Sequence, residues 1–235
     1  MNATLILAFL RQRFTSPMRL GLMVLMTLFP LGMVAIMGSL STLGGIAAPL
    51  ALIFAAGAIG QDVSSGTLQL LLVRPVTRPE YLFNRWLASV IGALGLTLLM
   101  FVLGSLILML RAEPPALAEL MRMTLESATA AAGNASIMIM LSTLAGGLGD
   151  VGLYFASMIV LQMLLGVGQF EHWAWMSRAA TELQGVLAPQ LSFAWLAQHM
   201  PVSWFAVTSW ASSVTLALAV GLARLNRREL SYAAG

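Results

Sequence analysis

The chain has 235 residues, of which 59% are hydrophobic and 9% charged, with a mean hydropathy of +0.89; an ordinary soluble domain carries roughly 25% charged residues, so a soluble globular protein is excluded. Its twelve basic residues are all Arg and are spread over the whole length, giving a net charge of +3 but no basic tract to follow a nucleic-acid backbone. Without Lys there is no P-loop phosphate cradle and no Schiff-base chemistry, and without Cys there is no disulfide framework, thiolate nucleophile or iron–sulfur cluster.

Residues 1–16 place Ile6, Phe9, Leu10 and Phe14 on one helical face beside Arg11, Gln12 and Arg13. This is the pattern of an amphipathic helix in the membrane plane, its arginines held by an anionic leaflet. Arg11 and Arg13 follow the apolar run instead of preceding it, so no cleavable signal peptide is expected. Ser16 and Pro17 form an N-cap and N1 pair that restarts the chain as a helix. The uncharged stretch 20–61 is long enough to cross a core near 30 Å about twice. It is interrupted by Gly38, Ser39, Ser41, Thr42, Gly44 and Gly45, so it reads as a helical hairpin.

The connection from Gly60 to Trp86 is longer than a turn needs. Ser64 and Ser65 are placed to cap a short helix with Leu68, Leu71 and Leu72 on one face, which Pro75 ends after Arg74. That leucine face suits either packing on the protein's own helices or docking into a groove on a partner. Thr77 and Glu80 then make a capping box with Pro79 in the first turn, starting the next helix at Arg78.

Uncharged stretches at 86–110, 127–149 and 151–170 supply three further spans. In the stretch 183–223, Pro189, Gln198, His199 and Pro201 break the first half, with Trp195 and Trp204 beside the break. The expectation is an interfacial or re-entrant segment over 170–201 and a last span after it. Six spans result, at about 18–38, 45–61, 86–110, 127–147, 151–169 and 202–223. An even number puts both termini on one side. Arg11, Arg13, Arg19, Arg74, Arg78, Arg85, Arg224, Arg227 and Arg228 share that side, against Arg111, Arg122 and Arg178, which predicts cytoplasmic termini.

Polar groups inside spans point to a transport path. Asn134, Ser136 and Gln162 are the candidates here, with Ser142 and Thr143 also polar, and interhelical hydrogen bonding is the competing role for Asn134. No charged residue falls near a midplane, which argues against a proton- or sodium-coupled carrier. Glu119, Arg122 and Glu126 read as a solvated strip on one helical face, and Trp173 and Trp175 as an interfacial belt. His172 and His199 lack metal-ligand spacing, so neither a metal site nor a catalytic residue is expected.

The run Gly66 to Arg78, GTLQLLLVRPVTR, with Asp62 before it and Leu82 to Leu87 after it, resembles the signature of ABC type-2 permeases, the membrane subunits of type V ABC exporters. In that family an acidic residue precedes a GTLExLLxxPVSR segment. Here Gln69 stands in place of Glu, Thr77 in place of Ser, and Asn84 with Arg85 in place of Gly-Lys. The resemblance implies an all-α integral membrane protein, one transmembrane domain over 1–235 with six transmembrane helices. The in-plane helix at 1–16, a cytoplasmic coupling helix within 62–76 and the re-entrant or interfacial segment at 170–201 complete it. It implies that Asp62, Gly66, Thr67, Leu68, Leu71, Leu72, Arg74, Pro75, Arg78 and Glu80 receive the stroke of a separate ABC-type ATPase. ATP and Mg would be bound by that partner, and no cofactor by this chain. It further implies a second permease chain, most simply a homodimer, in the lipid of a prokaryotic cytoplasmic membrane. A polytopic membrane enzyme or assembly scaffold, or a haem-export-type accessory permease, is the alternative that shares six spans.

Overall fold

The computed structural model describes residues 3–66, 76–194 and 203–227, and among these every regular element is helical. α1 (Ala3–Phe14) and α2 (Pro17–Met37) are separate helices. Ser16 between them is extended and makes no side-chain cap bond, while Pro17 occupies the first turn of α2; the fixed φ of proline, not a cap, sets the break. α2 ends at Gly38, and a 3-10 turn (Leu40–Leu43) leads into α3 (Ala47–Ala55) and the short α4 (Gly60–Ser64). α5 (Arg78–Leu110) starts where its capping box predicts, the Thr77 hydroxyl accepting from the Glu80 N–H at 3.4 Å. α6 (Leu117–Leu144), α7 (Gly149–Phe170), α8 (Ala174–Leu187) and α9 (Trp204–Arg227) follow.

Six segments are long and apolar enough to cross a membrane: Pro17–Met37, Leu40–Ser64, Arg78–Leu110, Leu117–Leu144, Gly149–Phe170 and Trp204–Arg227. Each overlaps one of the six expected spans, but the second is broken into the 3-10 turn, α3 and α4, and the fourth starts ten residues earlier than expected, at Leu117, taking in the Glu119–Glu126 strip. α6 is the central helix. Within its most apolar stretch 67% is buried, against 17% for α2, α7 and α9. It packs on α3, α5 and α9 through small residues such as Ala130, Ala131 and Ala135, which let backbones approach closely where lipid offers no hydrophobic drive. Large side chains such as Phe29, Ile36, Phe155 and Ile159 point outward, the arrangement a bilayer tolerates and water does not.

The segment between the last two spans is more built than an interfacial strip. The chain turns at Glu171 and His172, the latter at φ +55, and α8 folds back along α7 with Ser177 against Gly168. Residues 188–193 then run along α6. Leu191 N–H donates to the Thr129 hydroxyl at 3.2 Å and Phe193 N–H to Glu126 Oε1 at 3.0 Å. Pro189 is buried against Gly133, where any Cβ would overlap the Pro189 carbonyl, so glycine alone lets this loop reach the interior of α6. Glu126 therefore corrects the expectation of a merely solvated strip: it pairs with Arg122 at 3.1 Å and also holds the returning chain. Trp195, Gln198, His199 and Pro201 lie outside the described residues.

Candidate functional site

Residues 56–59 interrupt the second span between α3 and α4. The interruption strands backbone groups that a continuous helix would bond, and in an apolar setting each must find another partner. Side chains from other elements supply them. The Ala56 carbonyl accepts from Arg13 Nη1 and Arg19 Nη2, each at 3.0 Å. Gly57 N–H donates to Asp150 Oδ2 at 2.6 Å, and Ile59 and Gly60 N–H both donate to Ser142 Oγ, at 3.0 and 2.9 Å. Gly60 lies so near the Ala145 and Gly147 carbonyls that a Cβ would come within 2.7 and 2.8 Å of them.

A second cluster adjoins the break. Asp62 of α4, 2% exposed, forms a buried ion pair with Arg85 of α5 and accepts from the Tyr81 hydroxyl at 2.5 Å. Arg85 Nη1 donates to Gln12 Oε1 of α1 at 2.9 Å, and its guanidinium sits 3.8 Å from the centroid of the Phe9 ring, a cation–π contact that desolvation strengthens. A buried ion pair survives desolvation only when its other donors and acceptors are bonded. Tyr81 and Gln12 fill part of that role, while Arg85 Nε is buried without a hydrogen-bond partner among the described residues.

Arg13 is 4% exposed and bonds the break instead of extending to an anionic surface, which corrects that expectation. The uncapped Ala56 carbonyl draws it inward. Burial, with Arg85 and Arg19 close by, pushes its guanidinium down to about 9, so it remains charged at neutral pH. Arg19 Nη2 also donates to Gln61 Oε1 at 2.8 Å. At the same end of the bundle Arg78 donates to the Leu225 and Asn226 carbonyls at 3.2 and 2.7 Å, a cation at the negative end of α9.

This end also opens into a cavity of about 700 Å³ between α2, α3 and α7, with Gln12, Arg19 and Gln61 on one part of its wall and Leu22, Met26 and Phe155 on another. The described structure is thus a bundle of apolar helices whose polar chemistry is gathered around one broken span and the start of the 60–86 connection. A family profile described as ABC-2 family transporter protein matches residues 35–230. The chain belongs to the ABC-2 transporter family. It is a multi-pass membrane permease component of an ABC transporter, of a family that associates with an ABC ATPase subunit and is generally not catalytic itself. No curated protein gives a significant match.

Within this ABC-2 permease, Thr67, Leu68, Leu71, Leu72, Arg74 and Pro75 lie outside the described residues. Asp62 faces inward on Arg85, Gly66 follows α4 at φ +72, Arg78 holds the end of α9, and Glu80 is half-buried in the first turn of α5. Ser64 is the last residue of α4 and Ser65 its C-cap; the leucine helix that they were expected to cap lies outside the described residues. Asn134 and Ser136 are buried and bonded within the bundle, Asn134 Nδ2 to the Ala130 carbonyl at 2.8 Å and Ser136 Oγ to the Gly133 carbonyl at 2.7 Å. Gln162 is exposed on α7. None of these three lines the 700 Å³ cavity, so the structure does not gather them on one path.

Sequence reasoning missed Arg13, Arg19, Tyr81, Arg85 and Asp150 as members of one cluster. The available signal was the polar run Gly60, Gln61, Asp62 at the end of an apolar span, which announces a break but not its partners. Asn84, beside Arg85, is wholly buried, with neither side-chain polar atom bonded among the described residues. Among the described residues no three His, Asp or Glu side chains gather as a metal site requires.

Proposed function

We propose that this permease is the membrane-spanning half of an ATP-driven exporter. It pairs with a second copy of itself and with a separate ATPase that binds ATP and Mg, and it moves cargo outward. The end of the bundle carrying the Asp62–Arg85 pair faces the cytoplasm of a prokaryotic inner membrane, with both termini, as the excess of Arg at that end favours.

The observation that carries this reading is the buried Asp62–Arg85 pair, which closes the base of the segment between α4 and α5. Leu68, Leu71 and Leu72 belong to that segment and meet the ATPase. A push on a segment closed at its base moves α4 and α5 together instead of swinging a slack loop. From there it passes through Gln12 to α1, and through Gln61 and Arg19 to α2, the walls of the 700 Å³ cavity. That cavity is the cargo's entrance. Two packed arrangements of these elements, biased by the ATPase, would constitute the switch.

The test is purification of the tagged chain from its native membrane in mild detergent, followed by mass spectrometry and an ATPase assay. A stoichiometric Walker-containing ATPase is expected with the wild type and is expected to be lost from the Leu68→Asp, Leu71→Asp variant. If no ATPase accompanies the wild type, or if the variant retains it in full, the reading fails.

A further inference from the structure

The cavity between α2, α3 and α7 joins a polar wall to an apolar one. Arg19 is the third residue of α2, at the boundary where a charged headgroup would sit. Met26, which lines the same cavity, is seven residues further, roughly 10 Å deeper along the helix. Leu22, Leu52, Ile53 and Phe155 make the wall beyond Arg19 apolar. An inorganic anion leaves such a wall unused, and a neutral hydrocarbon leaves the guanidinium without a counter-charge.

The charges around the polar end do not balance. Arg13, Arg19 and Arg85 stand against Asp62 and Asp150. Asp62 is taken by Arg85 and Tyr81, and Asp150, wholly buried, accepts from Gly57 N–H and from its neighbour Val151 N–H at 2.9 Å. The hydrogen bonds of Arg19 go to the Ala56 carbonyl and the Gln61 amide oxygen, both neutral. The cluster thus carries one net positive charge, and Arg19 is the arginine of the three that lines the cavity, a half-buried guanidinium bonded only to neutral oxygens whose planar fork suits an oxyanion. Met18, at the rim, is 72% exposed, so the cavity's mouth lies on the outer surface of the described bundle.

We infer that this cavity binds an anionic amphiphile that enters sideways from the cytoplasmic leaflet, its phosphate or carboxylate on Arg19, Gln12 and Gln61 and its single acyl chain along Leu22, Leu52 and Met26. Naming that amphiphile as the cargo class rests on the exporter reading above; the binding site itself does not.

The full chain, purified in a neutral detergent, is incubated with dodecyl phosphate or dodecylphosphocholine, and the retained molecules are counted by native mass spectrometry. Dodecyl phosphate is expected to bind about tenfold more tightly, the difference a charged hydrogen bond makes in a partly dry site. Arg19→Gln is expected to erase that preference, Arg19→Lys to keep most of it, and Leu52→Trp to weaken both amphiphiles by filling the apolar wall. Arg11→Gln, on the exposed side of α1, is expected to change nothing. Equal binding of the two probes, an intact preference in Arg19→Gln, or an equal loss in Arg11→Gln overturns the proposal. Displacement of dodecyl phosphate by inorganic phosphate at the same concentration overturns it too, since the site would then be a plain anion site. Binding as expected, without stimulation of ATP hydrolysis in the complete complex, would leave the site standing and remove its role as cargo entrance.

Discussion

Asp62 and Arg85 lie 23 positions apart in the chain and meet as one buried ion pair, each side chain 3% exposed. The pair joins the end of the broken second span to the start of the long α5. Removing one member leaves a bare charge in the interior, which typically costs about 3–5 kcal/mol. Asp62→Asn and Arg85→Met alone are therefore expected to lower the thermal midpoint in detergent clearly. The double variant Asp62→Leu, Arg85→Met is expected to recover most of the loss, because it leaves no charge behind.

Ser142 holds two N–H groups of the break with one oxygen. Ser142→Ala strands both, at about 1–3 kcal/mol for each buried donor, whereas Asp150→Asn retains an acceptor for Gly57. Thermal unfolding should therefore rank Ser142→Ala below Asp150→Asn; the reverse order would show that the break is held mainly by the charge of Asp150.

The returning chain at 188–193 reaches α6 only because position 133 has no Cβ. The protein has no Cys, so a single Cys at the exposed Ser192 reports on that loop alone. Gly133→Ala is expected to raise its rate of labelling by a membrane-impermeant maleimide several-fold, and an unchanged rate would mean that the loop accommodates the methyl without lifting.

Asn84 is buried with both amide atoms unbonded among the described residues. Replacing such a group with an apolar one of similar size removes a desolvation penalty of about 1–3 kcal/mol. Asn84→Leu is expected to raise the thermal midpoint, and a drop would reveal a polar partner that the amide serves.

The spans were legible because charges bound them so cleanly: Arg19, Asp62, Arg85, Arg111, Asp150 and Arg224 each fall at or near the end of one. Helix starts were legible wherever proline or a capping box acts locally, as at Pro17 and at Thr77 with Glu80. The cluster was not legible, because its members come from α1, α2, α4, α5 and α7 and each looks like an ordinary loop or boundary charge in its own neighbourhood. What assembles them is the need of residues 56–59 for hydrogen-bond partners, a tertiary demand with no fixed spacing. Asn134 and Ser136 misled for the opposite reason. Their polarity inside a span is conspicuous in sequence, yet Ser136 bonds a carbonyl of its own helix and Asn134 bonds one too while accepting from the Tyr154 hydroxyl of α7 at 3.4 Å, the interhelical role weighed for it. Gly133 looked like one more small packing residue, since nothing near it announces that Pro189 will arrive from 56 positions away.

The central claim is that the Asp62–Arg85 pair transmits the ATPase stroke to the spans, beyond holding the fold. The most direct measurement is cargo-stimulated ATP hydrolysis by the complete complex in liposomes, comparing the wild type with the Asp62→Leu, Arg85→Met double variant at matched stability. The account predicts that the double variant still assembles with the ATPase and hydrolyses ATP at its basal rate, but loses most of the stimulation. Full stimulation in a stably assembled double variant would contradict it, and the pair would then be a structural feature of the bundle alone.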